Sequence, residues 1–345
     1  MVNLIQHKKI SANKYSVKIV VVVLTLFMMF AANSTELLTL QNERIRFTVA
    51  PKKGGELSGF EVKVGEQFHQ LLYRANDYSK QKGWRGKSLF LWPATGPTKK
   101  VHQLGNKFAP GHYSVQGKDY PMPFHGFAGR IAWQVVSQHK ASIQLQLQSN
   151  QKSKKYYPFD FKLNATYTLL EDGVEILYAV KSLKSNTLNM PFSIGNHATF
   201  KAPLLKNSEL ADFKFSTTCT KQMEFDKNNM PTGKVIETLY QGEKLFHELP
   251  ERKAIPYTDC YKDNNISLID PSGLTVMMSQ SYDQSSKSLP KTPYIEYNLW
   301  ASKEFGFISP EPWLGAKNSL NSGIGLVSIA PNTSWEWKVK IKAGN

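Results

Sequence analysis

Residues 159–169 read FDFKLNATYTL, with an apolar side chain at every odd position and a polar one at every even position. Because successive side chains of a β-strand point to opposite faces, this period of two predicts a strand with one buried and one solvated face. The same alternation occurs on either side of this stretch, in IQLQLQ at 143–148 and in WEWKVKIK at 335–342.

Turn residues separate these alternating segments. They occur as KKGG at 52–55, EDG at 171–173, DPSG at 270–273 and APN at 330–332. No window has a helical period, no tandem repeat occurs, and no linker rich in Pro, Gly or Ser divides the chain. Many strands with one apolar face bury those faces only by stacking sheets, so the sequence predicts an all-β sandwich.

The N-terminus has the pattern of an export signal. Four lysines, at positions 8, 9, 14 and 18, precede a predominantly apolar run at 19–32, and no acidic residue occurs before Glu36. The run is shorter than the ~20 residues that span a bilayer comfortably, and Ala32 and Ser34 provide small residues for cleavage. We expect a signal peptide at 1–34, a mature domain at 35–345 and a periplasmic or secreted location. An uncleaved anchor is the alternative, and we expect no stable membrane insertion after cleavage.

The chain is basic, with a formal net charge of +16. Without the four lysines before the apolar run, 39 basic residues face 27 acidic ones, a net charge of +12. The lysines are scattered and no nucleic-acid-binding motif is present, so we predict no nucleic-acid partner. A solvated basic surface is the simplest interpretation, and attraction to acidic sugars such as uronates is a further hypothesis.

The two cysteines are Cys219 and Cys260. In an oxidising compartment they could form a disulfide, and two separate buried thiols are the alternative. No CxxC motif or Cys/His cluster suggests a metal site.

Three segments each place one ionisable residue among aromatic residues, glycine and proline. They are PFHGFA at 123–128 with His125, PFSIGNHATF at 191–200 with His197, and FISPEPWLG at 307–315 with Glu311. Such surroundings exclude water and move a pKa, which makes these residues candidates for acid/base chemistry. The alternatives are hydrogen-bonded packing histidines and a glutamate that caps a turn.

These segments, in this order, resemble the aldose 1-epimerase family, including the branch related to hexose-6-phosphate mutarotases. The resemblance extends to GGEL at 54–57, LFLWP at 89–93 and the closing strand at 323–331. It implies a galactose-mutarotase-like antiparallel β supersandwich with a sugar cleft and no cofactor. The implied activity is that of an isomerase interconverting the α and β anomers of a small-molecule sugar.

By motif position, the resemblance implies that Glu311 is the general base and His197 the general acid. His125 would then bind the sugar by a hydrogen bond. Asp259, in YTDC at 257–260, resembles the family's hydroxyl-binding aspartate.

The sequence departs from the family at two arginine positions. Many relatives have Gly-Arg where this chain has Gly96-Pro97, and the sugar-phosphate branch often has arginine at the position of Gly129, one place before Arg130. Lysine cannot replace the planar fork of a guanidinium, so these departures argue against a standard hexose-6-phosphate substrate.

Two other functions are compatible with the sequence. One is a non-catalytic carbohydrate-binding protein that keeps the cleft, and the other is a polysaccharide lyase on a related sandwich. No Tyr/His or Lys base pair typical of a lyase is evident. Trp92, Trp300 and Trp313 could stack on sugar faces, although tryptophan in a sandwich is more often part of the core.

Overall fold

The computed structural model describes residues 37–74, 89–103, 111–260 and 264–344. The predicted signal segment 1–34 lies outside these residues, so its cleavage stays a prediction. The described strands are β1 Leu38–Gln41, β2 Ile45–Ala50, β3 Glu56–Val64, β4 Gln67–Gln70, β5 Leu89–Leu91, β6 His112–Val115, β7 Lys118–Pro121, β8 Gln134–Gln138, β9 Ser142–Gln148, β10 Phe161–Leu170, β11 Gly173–Ser182, β12 Met190–Phe192, β13 Ile194–His197, β14 Phe200–Lys201, β15 Lys214–Thr217, β16 Lys221–Phe225, β17 Pro231–Glu237, β18 Gly242–Leu245, β19 Ile255–Thr258, β20 Asn265–Ile269, β21 Thr275–Tyr282, β22 Ile295–Ser302, β23 Phe307–Gly315, β24 Val327–Ile329 and β25 Ser334–Gly344.

Helical structure is sparse among the described residues. A single four-residue α-helix, α1, covers Ser319–Ser322. Short 3₁₀ turns occur at Pro51–Lys53, Val101–Gln103, Ala128–Arg130, Ser153–Lys155, Leu210–Asp212 and Phe246–Glu248. None of the helices in this part of the chain is long and apolar enough to cross a membrane. The prediction of an all-β sandwich is confirmed.

The larger of two main sheets has nine strands in the order β18-β15-β20-β21-β25-β11-β10-β9-β8. Within it, β10 and β11 are antiparallel neighbours. Phe161 pairs with Ser182 at one end and Leu170 pairs with Gly173 at the other. The alternation that predicted β10 also orients it, since Phe161, Leu163 and Tyr167 are fully buried.

The second main sheet has eight strands, with β17-β16-β19-β22-β23-β13-β5 in order and β14 paired to β23. Aromatic stacking fixes this sheet against the first. Phe90 of β5 stacks on Tyr178 of β11 at 4.4 Å between ring centroids, and Tyr178 stacks on Trp337 of β25. The hydroxyl of Tyr178 also accepts a hydrogen bond from Asn196 Nδ2 at 2.9 Å. The candidate site therefore lies on a sheet whose inner face is held by a dense core.

Two glycines explain how the early GG turn meets the segment after His125. A Cβ on Gly54 would lie 2.3 Å from the carbonyl oxygen of Gly129, and a Cβ on Gly129 would lie 2.5 Å from that of Phe90. No side chain fits at Gly129, so the arginine of the sugar-phosphate branch has no room there. Arg130 provides the guanidinium one position later.

The two cysteines form a disulfide, Cys219–Cys260, which was one of the two alternatives left open by the sequence. It joins the end of β15 to the residues that follow β19. Nearby, the backbone N–H of Cys260 donates to Glu296 Oε2 at 2.6 Å.

Candidate active site

The register of the eight-stranded sheet brings the two main candidates together. On one side of β23, β13 pairs Gly195 with Trp313, and β14 pairs Phe200 with Ile308. Both pairings follow one register, which places His197 directly opposite Glu311. Facing residues of neighbouring strands have side chains on the same face, so the sheet itself sets the distance between this imidazole and this carboxyl group.

The pairing of β13 and β14 with β23 is interrupted at this point. Pro310 and Pro312 flank Glu311, and proline has no N–H to donate to a neighbouring strand. We attribute the interruption to these prolines. The segment EPW therefore places the carboxyl group of Glu311 in the middle of β23, at the point where backbone pairing with the neighbouring strand is interrupted.

Glu311 and His197 face each other in a nearly dry environment. Glu311 is 1% exposed and His197 is 5% exposed, and His197 Nε2 lies 3.5 Å from Glu311 Oε1. Burial raises the pKa of Glu311 well above its ordinary value and lowers the pKa of His197 to about 4. Opposed shifts of this kind are typical of acid/base pairs.

Neighbouring strands orient both groups. Asn298 of β22, directly opposite Glu311 on its other side, donates from Nδ2 to Oε1 at 3.4 Å, and Trp313 Nε1 donates to Oε2 at 3.1 Å. On the far side of the imidazole, His197 Nδ1 lies 3.2 Å from the hydroxyl of Thr199. These contacts fix the planes of the carboxyl group and the ring.

His125 approaches from a loop and not from the sheet. Its Nδ1 accepts a hydrogen bond from the backbone N–H of Gly96 at 2.9 Å, so in the neutral ring the proton is on Nε2. Burial, followed by the charges of His197, Arg130 and Lys317, lowers the pKa of His125 well below its usual value. Its ring centroid lies 5.7 Å from that of His197. His125 can therefore serve as a neutral hydrogen-bond donor beside the pair.

Lys317 is a buried cation beside the same carboxyl group. Its Nζ lies 4.1 Å from the centre of the Phe225 ring and 3.3 Å from Asn229 Oδ1. Burial lowers the pKa of Lys317 to about 8, and Glu311 opposes this shift. The side chain passes Gly96 so closely that a Cβ there would lie 2.8 Å from Lys317 Cγ. The aliphatic stem of Lys317 thus packs on Gly96, and its charged end lies further along the side chain, beside Phe225 and Asn229.

These groups line a cavity of about 1400 Å³. Its described lining includes Glu311, His197 and His125, together with the indole rings of Trp300 and Trp313. Trp92 is fully buried in the hydrophobic core and Trp313 is only 1% exposed, so Trp300 is the most accessible of the three indoles. No group of three or more His, Cys, Asp or Glu side chains among the described residues is arranged to hold a metal ion.

Asp259 lies elsewhere. Its side chain is 50% exposed and pairs with Lys221 at 2.9 Å between Oδ2 and Nζ, and it is not among the described residues that line the cavity. The hydroxyl-binding role implied by the resemblance has no support from this position.

For the isomerase activity that the resemblance implies, we expect Asp259→Asn to change kcat/KM by less than about two-fold, since an exposed ion pair contributes little. Steady-state kinetics with the unmodified protein as reference test this. A rise in KM of ten-fold or more would restore the binding role of Asp259.

Sequence reasoning missed Asn298 and Lys317. Asn298 lies in IEYNLW at 295–300, where a polar residue inside an apolar strand was a usable signal. Lys317 follows a glycine and an alanine in a chain with 43 basic residues, and nothing in its local sequence distinguishes it.

Comparisons with known proteins address the family and the fold. The family model described as Aldose 1-epimerase matches residues 36–287. The chromosomal LacX protein of Lactococcus lactis is 23% identical over 282 residues, covering 78% of this chain and 85% of that protein. Galactose mutarotase of Rattus norvegicus is 27% identical over 145 residues, which cover 39% of this chain and 40% of the relative.

Solved structures share the fold. A galactose mutarotase related enzyme from Lactobacillus acidophilus superposes with a TM-score of 0.72 at 18% identity, covering 90% of this chain and 98% of the other. The Slr1438 protein of Synechocystis gives a TM-score of 0.71 at 23% identity, covering 91% and 98%. Because the Aldose 1-epimerase family model matches residues 36–287, well over half of this chain, the chain belongs to the aldose 1-epimerase family.

Proposed function

We propose that the protein is an aldose 1-epimerase (mutarotase) that interconverts the α and β anomers of a sugar. The observation that carries the proposal is the pairing of Glu311 and His197 at 3.5 Å in the cavity. Two facing groups are what the reaction needs, because one proton must leave the C1 hydroxyl while another reaches the ring oxygen.

In the proposed cycle, Glu311 takes the proton of the C1 hydroxyl and His197 donates a proton to the ring oxygen. The C1–O5 bond breaks and the open-chain aldehyde forms. Rotation about the C1–C2 bond presents the other face of the aldehyde, and ring closure returns both protons. The groups end as they began, so the cycle needs no external oxidant or reductant.

The pair needs only one proton between its members. Burial favours an uncharged Glu311 and an uncharged His197 when each is considered alone. The neutral pair and the ion pair have the same net charge and differ only in which group holds the proton. Hydrogen bonds from Asn298 and Trp313 and the charge of Lys317 favour the ionised carboxylate. These contacts support Glu311 as the base and His197 as the acid.

The remaining groups of the cavity suit sugar binding. The Nε2–H of neutral His125 can donate to a ring hydroxyl, and the partly exposed indole of Trp300 offers a flat apolar face. This arrangement supports the binding role that the resemblance implies for His125.

Replacing Lys317 by Met is expected to move the acidic limb of the pH profile of kcat/KM to higher pH. The charge of Lys317 lowers the pKa of Glu311, so its loss raises that pKa and leaves the base protonated over a wider range. Above pH 8 the unmodified protein should also lose activity as Lys317 deprotonates, and the Met variant should lack this loss. Initial rates across pH 5–10 measure both effects.

Two variants serve as controls. Lys317→Arg keeps the charge and should restore the acidic limb, whereas Lys184→Met removes an exposed lysine and should leave the profile unchanged. An acidic limb that is the same in Lys317→Met and the unmodified protein would show that Lys317 does not act on Glu311.

The proposed activity is tested by exchange NMR with purified protein and a set of neutral, acidic and phosphorylated sugars. The exchange between α and β signals is compared with the spontaneous rate in the same buffer. Acceleration that disappears in Glu311→Gln supports the proposal, and no acceleration with any sugar contradicts it.

A non-catalytic carbohydrate-binding protein is the second candidate. The observation in its favour is the burial of Glu311, which makes the ionised base costly to form. Saturable line broadening of a sugar without faster exchange would support this candidate in the same experiment.

We also propose that the protein is exported to the periplasm or secreted. The Cys219–Cys260 disulfide supports this location, since disulfides persist in oxidising compartments. Fractionation of cells that produce the full chain, with N-terminal sequencing of the product, tests both export and cleavage after Ser34.

A further inference from the structure

The cavity is strongly cationic. Among the described residues that line it, Glu311 is the single acidic one and seven are lysine or arginine. These seven are Lys52, Lys53, Lys99, Arg130, Arg252, Lys253 and Lys317. Like charges gathered around one concave surface repel each other and raise the free energy of the empty site. A neutral sugar would gain nothing from them, so the charge requires another explanation.

Two of the cations lie near His125, whose ring centroid is 5.7 Å from that of His197. Arg130 and Lys317 both act electrostatically on His125. Arg130 is positioned by a hydrogen bond from Nη2 to the carbonyl oxygen of Phe124 at 2.9 Å. An anionic substituent on the reacting ring would find these two charges beside it.

Other cations lie further out, on one side of the pair. Arg252 and Lys253 immediately precede β19, and the backbone N–H of Arg252 donates to the carbonyl oxygen of Ala301 at 2.9 Å. The guanidinium of Arg252 stacks on Phe305 at 4.3 Å. Its Nη2 pairs with Glu304 at 2.9 Å, and its Nε lies 3.6 Å from Glu251. These contacts hold it at the rim, and the two carboxylates offset part of its charge.

Lys52 and Lys53 lie on the opposite side. They belong to the turn before Gly54, which packs on Gly129 and through it on β5. In the sheet, β5 and β19 are separated by β13, β23 and β22, with Glu311 and His197 on the strands between. Four strand spacings of about 4.8 Å amount to about 19 Å. The outer cations therefore extend well beyond one sugar ring.

The volume of the cavity agrees with that extent. At about 1400 Å³ it exceeds the roughly 300–1000 Å³ of typical small-molecule sites. A single hexose would leave most of it to water.

We propose that the substrate is an acidic oligosaccharide, with its reducing ring in the cavity against Glu311 and His197 and the anionic groups of the following rings against the outer cations. The anionic groups are carboxylates or sulfates carried on successive rings. This inference rests on the proposed epimerase activity, which supplies the reacting ring.

Binding to the unmodified protein can be measured directly, because anomer exchange leaves the sugar pool chemically unchanged. Calorimetry compares galactose, galacturonate, trigalacturonate, a sulfated galactose trisaccharide and glucose 6-phosphate at low and high salt. We expect one of the acidic trisaccharides to bind at least ten-fold more tightly than galactose, with the advantage decreasing as salt rises. Which of the two binds better identifies the anion as carboxylate or sulfate.

Charge-matched double variants locate the effect. Arg252→Gln/Lys253→Gln and Lys52→Gln/Lys53→Gln each remove two cavity cations, and Lys338→Gln/Lys340→Gln removes two from β25, which pair with Glu175 on the other main sheet. At least one cavity variant should weaken trisaccharide binding about ten-fold, with galactose binding unchanged. The β25 variant should stay within about two-fold for both.

Several outcomes would overturn the inference. Equal affinity for galactose and both acidic trisaccharides would remove it, as would a β25 variant that loses as much affinity as the cavity variants. Galacturonate or glucose 6-phosphate binding as tightly as the trisaccharides would remove the extension beyond one ring. Tight trisaccharide binding without faster exchange would contradict the epimerase proposal, and the placement of the reducing ring would fall with it. Fast exchange of galactose, with no tighter binding of acidic sugars than of neutral ones, would contradict this inference and leave the epimerase proposal standing.

Discussion

Glu311→Gln is expected to lower kcat/KM for anomer exchange by about 10²–10⁴-fold, the usual contribution of one acid/base partner. The amide cannot take the proton of the C1 hydroxyl, yet it has nearly the same shape. It also keeps an acceptor for the hydrogen bond from Trp313 Nε1. Exchange NMR over a series of sugar concentrations, from below to above saturation, measures the loss in kcat/KM. His197→Asn should cause a loss of the same order, because the ring oxygen then has no donor.

Glu311→Gln should not destabilise the folded protein. A carboxyl group whose pKa is raised by burial is costly to ionise in the folded protein, so Gln at 311 should leave the thermal midpoint the same or raise it. Glu237→Gln, an exposed change on β17, is the matched control and should keep full activity. The double variant Glu311→Gln/His197→Asn should lose little more than either single one, because the two groups act as a unit. Retained activity in both single variants would refute the assignment.

Removing the Cys219–Cys260 disulfide is expected to lower the free energy of unfolding by about 4 kcal/mol. The cysteines are 41 residues apart, and a cross-link over a loop of this length removes about that much entropy from the unfolded chain. Denaturant unfolding of the oxidised protein, the reduced protein and Cys219→Ser measures the difference.

Two controls test whether the loss of stability comes from the missing cross-link. The double variant Cys219→Ser/Cys260→Ser should match the single one, since either change removes the same cross-link. The rate of anomer exchange in the absence of denaturant should be unchanged, because neither cysteine is among the described residues that line the cavity. An oxidised protein that unfolds at the same denaturant concentration as the reduced one would contradict the prediction.

The fold was predictable because its pattern is local. The period of two in β10 requires one face of that strand to be buried, and the structure buries four of the five apolar side chains that the alternation selects within it, with Leu169 half-buried near the strand end. Strand order was not predictable in this way. β11 pairs with the C-terminal β25, and no local pattern identifies a partner more than 150 residues away.

The site was predictable in part. Each of the three unusual segments contributes its ionisable residue to one cavity, which their aromatic and proline-rich composition made plausible. Asp259 shows the limit of motif position, because its surroundings match the family less closely and its side chain faces Lys221. Lys317 shows the opposite limit. Its importance comes from burial beside Glu311, and burial of a lone lysine has no signature in sequence.

The facing pair lies on strands of the sheet and the outer cations lie on loops, and this separation has a practical consequence. Glu311 and His197 stand on adjacent strands whose spacing is fixed by the backbone ladder on either side of the gap, whereas Lys52, Lys53, Arg252 and Lys253 stand on connections between strands. Under the proposed activity, libraries that randomise or graft these connections explore new sugar preferences while the geometry of Glu311 and His197 is kept. Random mutation of β13 or β23 would put at risk the one distance on which every such variant depends.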